Sequence, residues 1–541
     1  MGTQVGDANG ALRPGDHRRR RARRFVLAAA IGLCLATTAA ACGSSAPSST
    51  PSSTPSSTGG SGGGAGTAAG GAALTAPPVT GFAVPPVTGH VGRWLVDAHG
   101  RVILLDGVNM VAKGAATPAQ EGFGAADAAW LQQNGIDVVR LGLTAASLMP
   151  TPGHIDQAWL HSYLQTLDQL TSHGILVLVD LHQDGWGPTT GSDGFPGWMT
   201  ITNGATNTHA PFPNYYVSNP AVQAAFQSFW ENVPGPGGVP LQQRVASMFG
   251  TLSSAVTSNA RVLGYDLLNE PWPGTTWQPC LSDPNGCPAL DQSGLDPYYA
   301  TVDRAIRAHD THHLVFPEPY VLFDFGLSTT HVAMPTGEAN SGLSFHMYAT
   351  SPAKEPAVLQ NAIGWSQSTG DALLETEFGA TTDTTTIDRM IGEADQALVP
   401  WIFWAFNEDV VHSLAKPPAG SNLITSTVAA IVRPHPVAVA GTPTASTYDP
   451  TTRTMTFTWS TTGPDGKTYP PTVPTLFNVP MSLYPSSYSV HVTGGHVVSA
   501  RGQTGVPQFV GSFGGAARHC PWSEPFGCSE RPKCVGTRLV D

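Results

Sequence analysis

The sequence lacks the common signatures of nucleotide, metal and acyl-transfer chemistry. It has no glycine loop that would cradle a phosphate, no His/Cys set with zinc spacing and no serine nucleophile elbow. Basic residues are also in deficit, with 26 Lys and Arg against 38 Asp and Glu and a formal net charge of -12 over 541 residues. Seven of the arginines lie before residue 25, against Asp7 and Asp16, so everything that follows carries about -17. That balance excludes nucleic acid and anionic lipid as partners and favours a neutral substrate. Outside one stretch near the start, no apolar run reaches the roughly 18 residues of a spanning helix. A chain of this length exceeds one ordinary core, so two folded units with appendages are expected.

The exceptional apolar stretch is FVLAAAIGLCLATTAAA, preceded by RRRRARR (18 to 24) and followed by Cys42. A basic n-region, an apolar h-region and small residues before a cleavage point make an export signal. Ala39-Ala40-Ala41-Cys42 resembles a bacterial lipobox, with alanine where leucine is usual, and Arg23-Arg24-Phe25 admits a twin-arginine route. The expectation is a signal over 1–42 and a product that is a cell-surface lipoprotein tethered through Cys42 or is secreted. Residues 43–78, almost wholly Ser, Pro, Thr, Gly and Ala, cannot bury a core and form a flexible linker. Cys280 and Cys287 close the loop CLSDPNGC, and outside the cytoplasm they are expected to form a disulfide; no His or further Cys accompanies them as a metal site would need. Cys520, Cys528 and Cys534 form an odd set whose pairing the sequence leaves open.

From about residue 80, eight apolar runs alternate with amphipathic ones. The runs are VILLDGVNM (102 to 110), DVVRLGL (137 to 143), ILVLVDLH (175 to 182), RVLGYDLLNE (261 to 270), HLVFPEP (313 to 319), LSFHMY (343 to 348), ALLETEF (372 to 378) and WIFWAF (401 to 406). Between them AADAAWLQQNG, IDQAWLHSYLQTLDQLTSHG and DPYYATVDRAIRAHD read as helices. Continuous apolar strands separated by helices predict a parallel sheet, and eight repeats predict a (β/α)8 TIM barrel over 79–434. After residue 435 the texture becomes alternating Thr, Val and Tyr between turns, which predicts an antiparallel β-sandwich over 435–510. The segment 511–541 lacks that alternation and is expected to be an irregular tail outside the sandwich.

Polar residues gather at the ends of the predicted strands. Lys113 follows the first, Arg140 lies in the second, His182 and Asp184 close the third, and Asn269 and Glu270 the fourth. His346 and Tyr348 close the sixth, Glu377 the seventh, and Trp404 lies in the eighth. A barrel concentrates such residues on its carboxyl-terminal rim. Two carboxylates facing each other there, Glu270 and Glu377, are what glycoside hydrolysis requires: one protonates the leaving oxygen and the other attacks the anomeric carbon or activates water.

With Asn-Glu-Pro after strand four and Thr-Glu-Phe-Gly after strand seven, residues 95 to 410 resemble clan A barrels of glycoside hydrolase family five. GRVILLDGVNMVAKG, VDLHQDGWG, NEPWPG with its downstream cysteine pair, FHMY and LLETEFGAT, in that order, look like the endoglycoceramidase-related branch. The resemblance implies Glu270 as acid/base, Glu377 as nucleophile, retention of configuration, no cofactor or metal, and a glycolipid or other neutral glycoside as substrate. Lys113, Arg140, His182, Asp184, Asn269, His346, Tyr348 and Trp404 are then the substrate-binding candidates, with Arg140 and Tyr348 placed to keep Glu377 ionised. The rivals are a β-glucan or β-mannan hydrolase and, in another class, a non-catalytic carbohydrate- or lipid-binding lipoprotein, against which the presence of both glutamates weighs. A monomer is expected. The aromatic residues after strands three and four, Trp186, Phe195, Trp198, Phe212, Tyr215, Tyr216, Trp272 and Trp277, either line a groove for sugar or lipid or form a local core beneath a long loop.

Overall fold

A computed structural model describes residues 82–497 except 212, 213, 282, 284, 336–338, 471, 481, 486, 487 and 496, together with the backbone of 534–540. The signal, Cys42, the linker, Cys520 and Cys528 lie outside the described residues.

Eight strands form the expected parallel sheet: β1 Asp106–Val111, β2 Val138–Leu143, β3 Leu176–Leu181, β4 Val262–Asp266, β5 Leu314–Phe316, β6 Gly342–Met347, β7 Ala372–Gly379 and β8 Trp401–Trp404. Their order is β5-β4-β3-β2-β1-β8-β7-β6, and a parallel bridge between Val315 and Ser341 closes the ring. Every residue of these strands is buried, as expected when one face meets the barrel interior and the other a layer of helices. The predicted helices appear at Ala125–Gln133, Gln157–Ser172 and Asp296–Arg307. Asp156 caps the second by accepting from the Ala158 and Trp159 N–H groups, which sets where the chain leaves its loop. Gly142 in β2 answers a different need: a Cβ there would stand 2.7 Å from Asp180 Oδ2, a carboxylate the site uses.

The first predicted run divides. Val102–Ile103 belongs to a second, five-stranded sheet with Val87–Val91, Trp94–Asp97, His435–Val439 and Leu476–Asn478; only from Asp106 does the chain enter the barrel. Unbroken apolar sequence carries no period that could mark the change of sheet. This sheet packs under the barrel's amino-terminal end, where Phe82, Leu95, Ile103 and Val437 join Leu176, Leu263 and Ile402 in one core. His435 fastens it there, with Nε2 2.6 Å from Asp137 Oδ2. Burial opposes charge on that imidazole, but Asp106 and Asp137 outweigh it and hold its pKa up to about 10.

A third, four-stranded antiparallel sheet runs Thr442–Asp449, Thr454–Ser460, Cys534–Val540, Ser489–Thr493. The segment expected to be an irregular tail therefore supplies an inner strand, with Phe457 opposite Thr537. The period-two pattern of Val535, Thr537 and Leu539 is only one strand long, and a cysteine- and proline-rich stretch precedes it.

Glu375 in β7 is 1 % exposed, and its Oε2 has no hydrogen-bond partner among the described residues. Burial, reinforced by Glu393 and Asp395, pushes its carboxyl well above the usual range. The native state thus holds a proton that the unfolded chain releases, so stability falls as pH rises above the ordinary glutamate pKa. Glu375→Gln is expected to raise the melting temperature at pH 8 by roughly 2–4 °C, with the gain shrinking toward pH 4.5. Melting curves across that range test it; a gain independent of pH would assign the effect to packing.

Candidate active site

Each strand delivers a polar group to the same end of the barrel. Fully buried at its centre is Arg140, and all of its donors are engaged by protein. Nε donates to Asp266 Oδ2 at 2.9 Å, and Nη1 to Asn109 Oδ1 at 3.2 Å and Glu377 Oε2 at 3.4 Å. Nη2 donates to Asp180 Oδ1 at 3.0 Å, Asn269 Oδ1 at 2.9 Å and Glu318 Oε1 at 3.0 Å. Burial disfavours the guanidinium charge, yet the four carboxylates more than reverse that and raise its pKa. Arg140 was expected among the substrate-binding groups and beside Glu377; its fork is spent on strands β1, β3 and β4, on Glu318 and on Glu377, so it holds the Glu377 carboxyl in place.

Glu377 receives a second hydrogen bond from the Tyr348 hydroxyl, 2.7 Å from Oε1. Two donors aimed at this carboxyl favour its carboxylate form. Glu270 lies beyond the end of β4, where the backbone takes φ +44°, a left-handed conformation that non-glycine residues rarely adopt. Its N–H donates to Glu318 Oε2 at 2.6 Å. His346 stands between the two acids, with Nδ1 3.2 Å from Glu270 Oε1 and 3.7 Å from Glu377 Oε2. One oxygen of each glutamate and a ring nitrogen of His346 all lie within 4.8 Å of one another. Carboxyl groups this close leave no space for a water between one of them and the anomeric carbon, which is the geometry of retention; inversion needs roughly 6.5–9.5 Å.

Beside this pair, Lys113 Nζ lies 2.5 Å from Asp184 Oδ2 and 4.3 Å from the centre of the Trp404 ring. His182 stacks on Trp404 with centroids 5.4 Å apart, and its Nδ1 lies 3.0 Å from Asp180 Oδ2. Burial lowers the proton affinity of His182, but Asp180 and the bonds to Asp180 and Asp184 outweigh burial and hold its pKa up at about 9. Asn269 gives Nδ2–H to the Gln183 carbonyl at 2.9 Å while Oδ1 accepts from Arg140, which leaves one amide hydrogen for a ligand. The Trp404–Ala405 peptide is cis. Among the described residues, besides the two glutamates with His346, one other cluster has the composition of a metal site: His182, Asp184 and Asp193. There the Lys113 ammonium already supplies a positive charge to Asp184.

The aromatic residues of the long loops are mostly core. Trp186 stacks on Phe195 at 4.3 Å, and Trp272 on Tyr216 at 5.4 Å; these four and Tyr215 are no more than 2 % exposed. Trp277 is nearly buried and Trp198 half-buried, while Phe212 lies outside the described residues. The predicted Cys280–Cys287 disulfide is present, with Cα atoms 4.9 Å apart, and pins the loop that follows Trp277. Sequence reasoning missed Asp180, Asp266 and Glu318. Their signal is an acid within or directly after an apolar run, as in LVLVDLH, GYDLL and FPEP, where desolvation demands a partner.

Residues 96–410, more than half of the chain, match the family described as cellulase (glycosyl hydrolase family 5), and residues 433–508 match the glycoside hydrolase family 5 C-terminal domain. The chain is similar to endoglycoceramidase I of Rhodococcus hoagii, 31 % identical over 439 residues that span 76 % of this chain and 83 % of the relative. It is 30 % identical over 287 residues to the endoglycoceramidase of Cyanea nozakii, covering 47 % of this chain and 55 % of that one. Among solved structures, endo-glycoceramidase II from Rhodococcus sp., seen as a lactosyl-enzyme intermediate and in complex with ganglioside GM3, superposes with a TM-score of 0.64. It is 24 % identical over 83 % of this chain and 99 % of its own.

Arg140 generates a stability prediction. A lysine keeps the charge but has one ammonium for four carboxylates and two amide oxygens, so Arg140→Lys is expected to lose about 3–5 kcal/mol. Urea unfolding checks it, and an unchanged midpoint would show that the carboxylates do not depend on the guanidinium fork.

Proposed function

Because the chain belongs to glycoside hydrolase family 5 and is a glycosidase, we propose that Glu377 and Glu270 are the nucleophile and acid/base of a retaining β-glycosidase that releases sugar from glycolipids. The observation that carries the roles is the approach of the two carboxyl groups to within 4.8 Å, with Glu377 ionised by Arg140 and Tyr348 and Glu270 held apart from that pair. In the first step Glu377 attacks the anomeric carbon as the glycosidic C–O bond breaks, and Glu270 gives its proton to the departing oxygen. In the second, Glu270 takes a proton from water, whose oxygen displaces Glu377 from the same carbon. The free amide hydrogen of Asn269 is directed to the 2-hydroxyl, a bond that strengthens as positive charge develops at the ring. Lys113, Asp184, His182 and Trp404 form the wall that holds the remaining hydroxyls and one ring face. The lipid aglycone rests on the similarity to endoglycoceramidases, above all to the Rhodococcus hoagii protein, which extends over both folded units. Cys42, as a lipidated first residue, would tether the enzyme at a membrane surface, where such substrates reside.

The substrate class is tested by incubating the protein with glycosylceramides, β-glucans and β-mannans. Release of intact glycan from the first group alone is expected; turnover of a polysaccharide in preference would replace the reading by an endo-glucanase or mannanase. Glu377→Gln keeps the shape and loses the nucleophile, so it is expected to cut turnover by about 10³-fold or more with an unchanged melting curve. Glu270→Ala is expected to lose about 10²–10⁴-fold on glycosides with alkoxide leaving groups but far less on dinitrophenyl glycosides, which need no proton. Azide should accelerate that variant and yield a β-glycosyl azide. Equal losses on both substrate types, with no azide product, would remove Glu270 from the acid/base role.

A further inference from the structure

A third glutamate, unassigned by any role above, touches Glu270 directly and reaches Glu377 through Arg140 and His346. Glu318 follows β5, between Pro317 and Pro319, and is fully buried. Its Oε2 accepts the N–H of Glu270 at 2.6 Å, at the residue whose φ is +44°. Its Oε1 lies 3.0 Å from Arg140 Nη2, 3.0 Å from His346 Nε2 and 3.4 Å from the Ser344 hydroxyl. Each of these neighbours, the Glu270 N–H, the Arg140 guanidinium, the His346 ring and the Ser344 hydroxyl, is a group able to donate. The Tyr299 hydroxyl donates to the Glu318 carbonyl at 2.7 Å and locks the segment in place.

Two consequences follow. A left-handed non-glycine residue is costly unless its surroundings hold it, and the hydrogen bond from the Glu270 N–H is placed to do so. Glu318 Oε1, 3.0 Å from Nε2 of His346 as an ion-pair contact and not aligned as a hydrogen bond, favours a proton on that nitrogen, which leaves Nδ1, 3.2 Å from Glu270 Oε1, as the ring position that exchanges one. We infer that Glu318 is a positioning residue for the acid/base step: it holds Glu270 in its strained conformation and fixes the tautomer of His346, so that Glu270 and His346 Nδ1 share the proton delivered to the leaving group. This inference rests on the assignment of Glu270 above. The environment of His346 agrees with it: burial opposes its charge, but Glu318 and Glu377 outweigh burial and hold the imidazole well above its usual range.

Glu318→Gln tests the inference because an amide must turn one N–H toward a donor, either Glu270 N–H or the Arg140 and His346 side. With turnover measured on an alkyl β-glycoside and a dinitrophenyl β-glycoside, kcat is expected to fall about 10²-fold on the first and less than about 10-fold on the second, with little change in KM. Loss of a negative charge beside the shared proton lowers its affinity, so the basic limb of the kcat/KM profile should move to lower pH. Glu318→Asp keeps the charge and should restore the position of that limb while kcat remains reduced. Equal losses on both glycosides with an unmoved limb would overturn the inference. If neither variant melts cooperatively, the ring ¹⁵N signals of His346 in the unsubstituted protein decide: Nδ1 should titrate while Nε2 stays protonated, and the reverse order overturns it. Failure of the Glu270 assignment reads differently, since Glu270→Ala would then lose both substrates equally whatever Glu318→Gln does.

Discussion

One buried guanidinium sets the terms for the rest of the site. Arg140 neutralises carboxylates from β3, β4, β5 and β7 in a place where any of them alone would be expensive to desolvate. The arrangement works in both directions. The carboxylates keep Arg140 charged despite complete burial, and its rigid fork spaces strand ends that are joined only through helices and loops. Asn269 and Glu377 are each tied to it directly, while Glu270 is tied through Glu318. Glu377 and Glu270 therefore share one reference point, although they lie 107 positions apart in the chain.

That connection explains why Glu270 can occupy a left-handed backbone. Pro271 removes the next N–H and fixes its own φ, so the chain must turn at Glu270, and the Glu318 carboxylate meets the one N–H the turn leaves pointing inward. Gln183 completes the clamp by donating from one amide to the Asn269 and Glu270 carbonyls at 2.9 and 2.8 Å. Behind them Trp272 is buried against Tyr216, so the loop after the acid is anchored by packing as well as by hydrogen bonds. The buried aromatic cluster therefore serves the chemistry indirectly, by making the rim stiff.

Much of this was legible in the sequence where one-dimensional patterns suffice. Eight apolar runs separated by amphipathic stretches specify a parallel barrel, and all eight appear as its strands. The polar residues chosen at strand ends do converge, because the barrel has only one carboxyl-terminal rim. What the sequence hid depends on partners rather than on period. Val102–Ile103 differs from Asp106–Val111 only in which strand pairs with it, and Cys534–Val540 is too short and too far from its neighbours for its pairing to show. Arg140 looked like a ligand group because a strand-end arginine and a structural one have the same sequence; only the count of carboxylates around it separates them. Glu318, between two prolines, reads in the sequence as part of a strand end.

The same count of charges bears on catalysis. Around the two glutamates stand Asp180, Asp184 and Glu318, with Arg140, His346, His182 and Lys113 among them, while burial pushes the Asp266 and Asp324 carboxyls above their usual range. A neutral sugar entering such a field gains little from it in the ground state. As the glycosidic bond breaks, the anomeric carbon and ring oxygen acquire positive charge, and the fixed carboxylates then attract it without having to reorganise. Burial strengthens the effect because water is not there to screen it. A cluster of carboxyl groups inside a barrel, costly to fold by itself, is thus gathered by Arg140 at the place where the transition state develops positive charge.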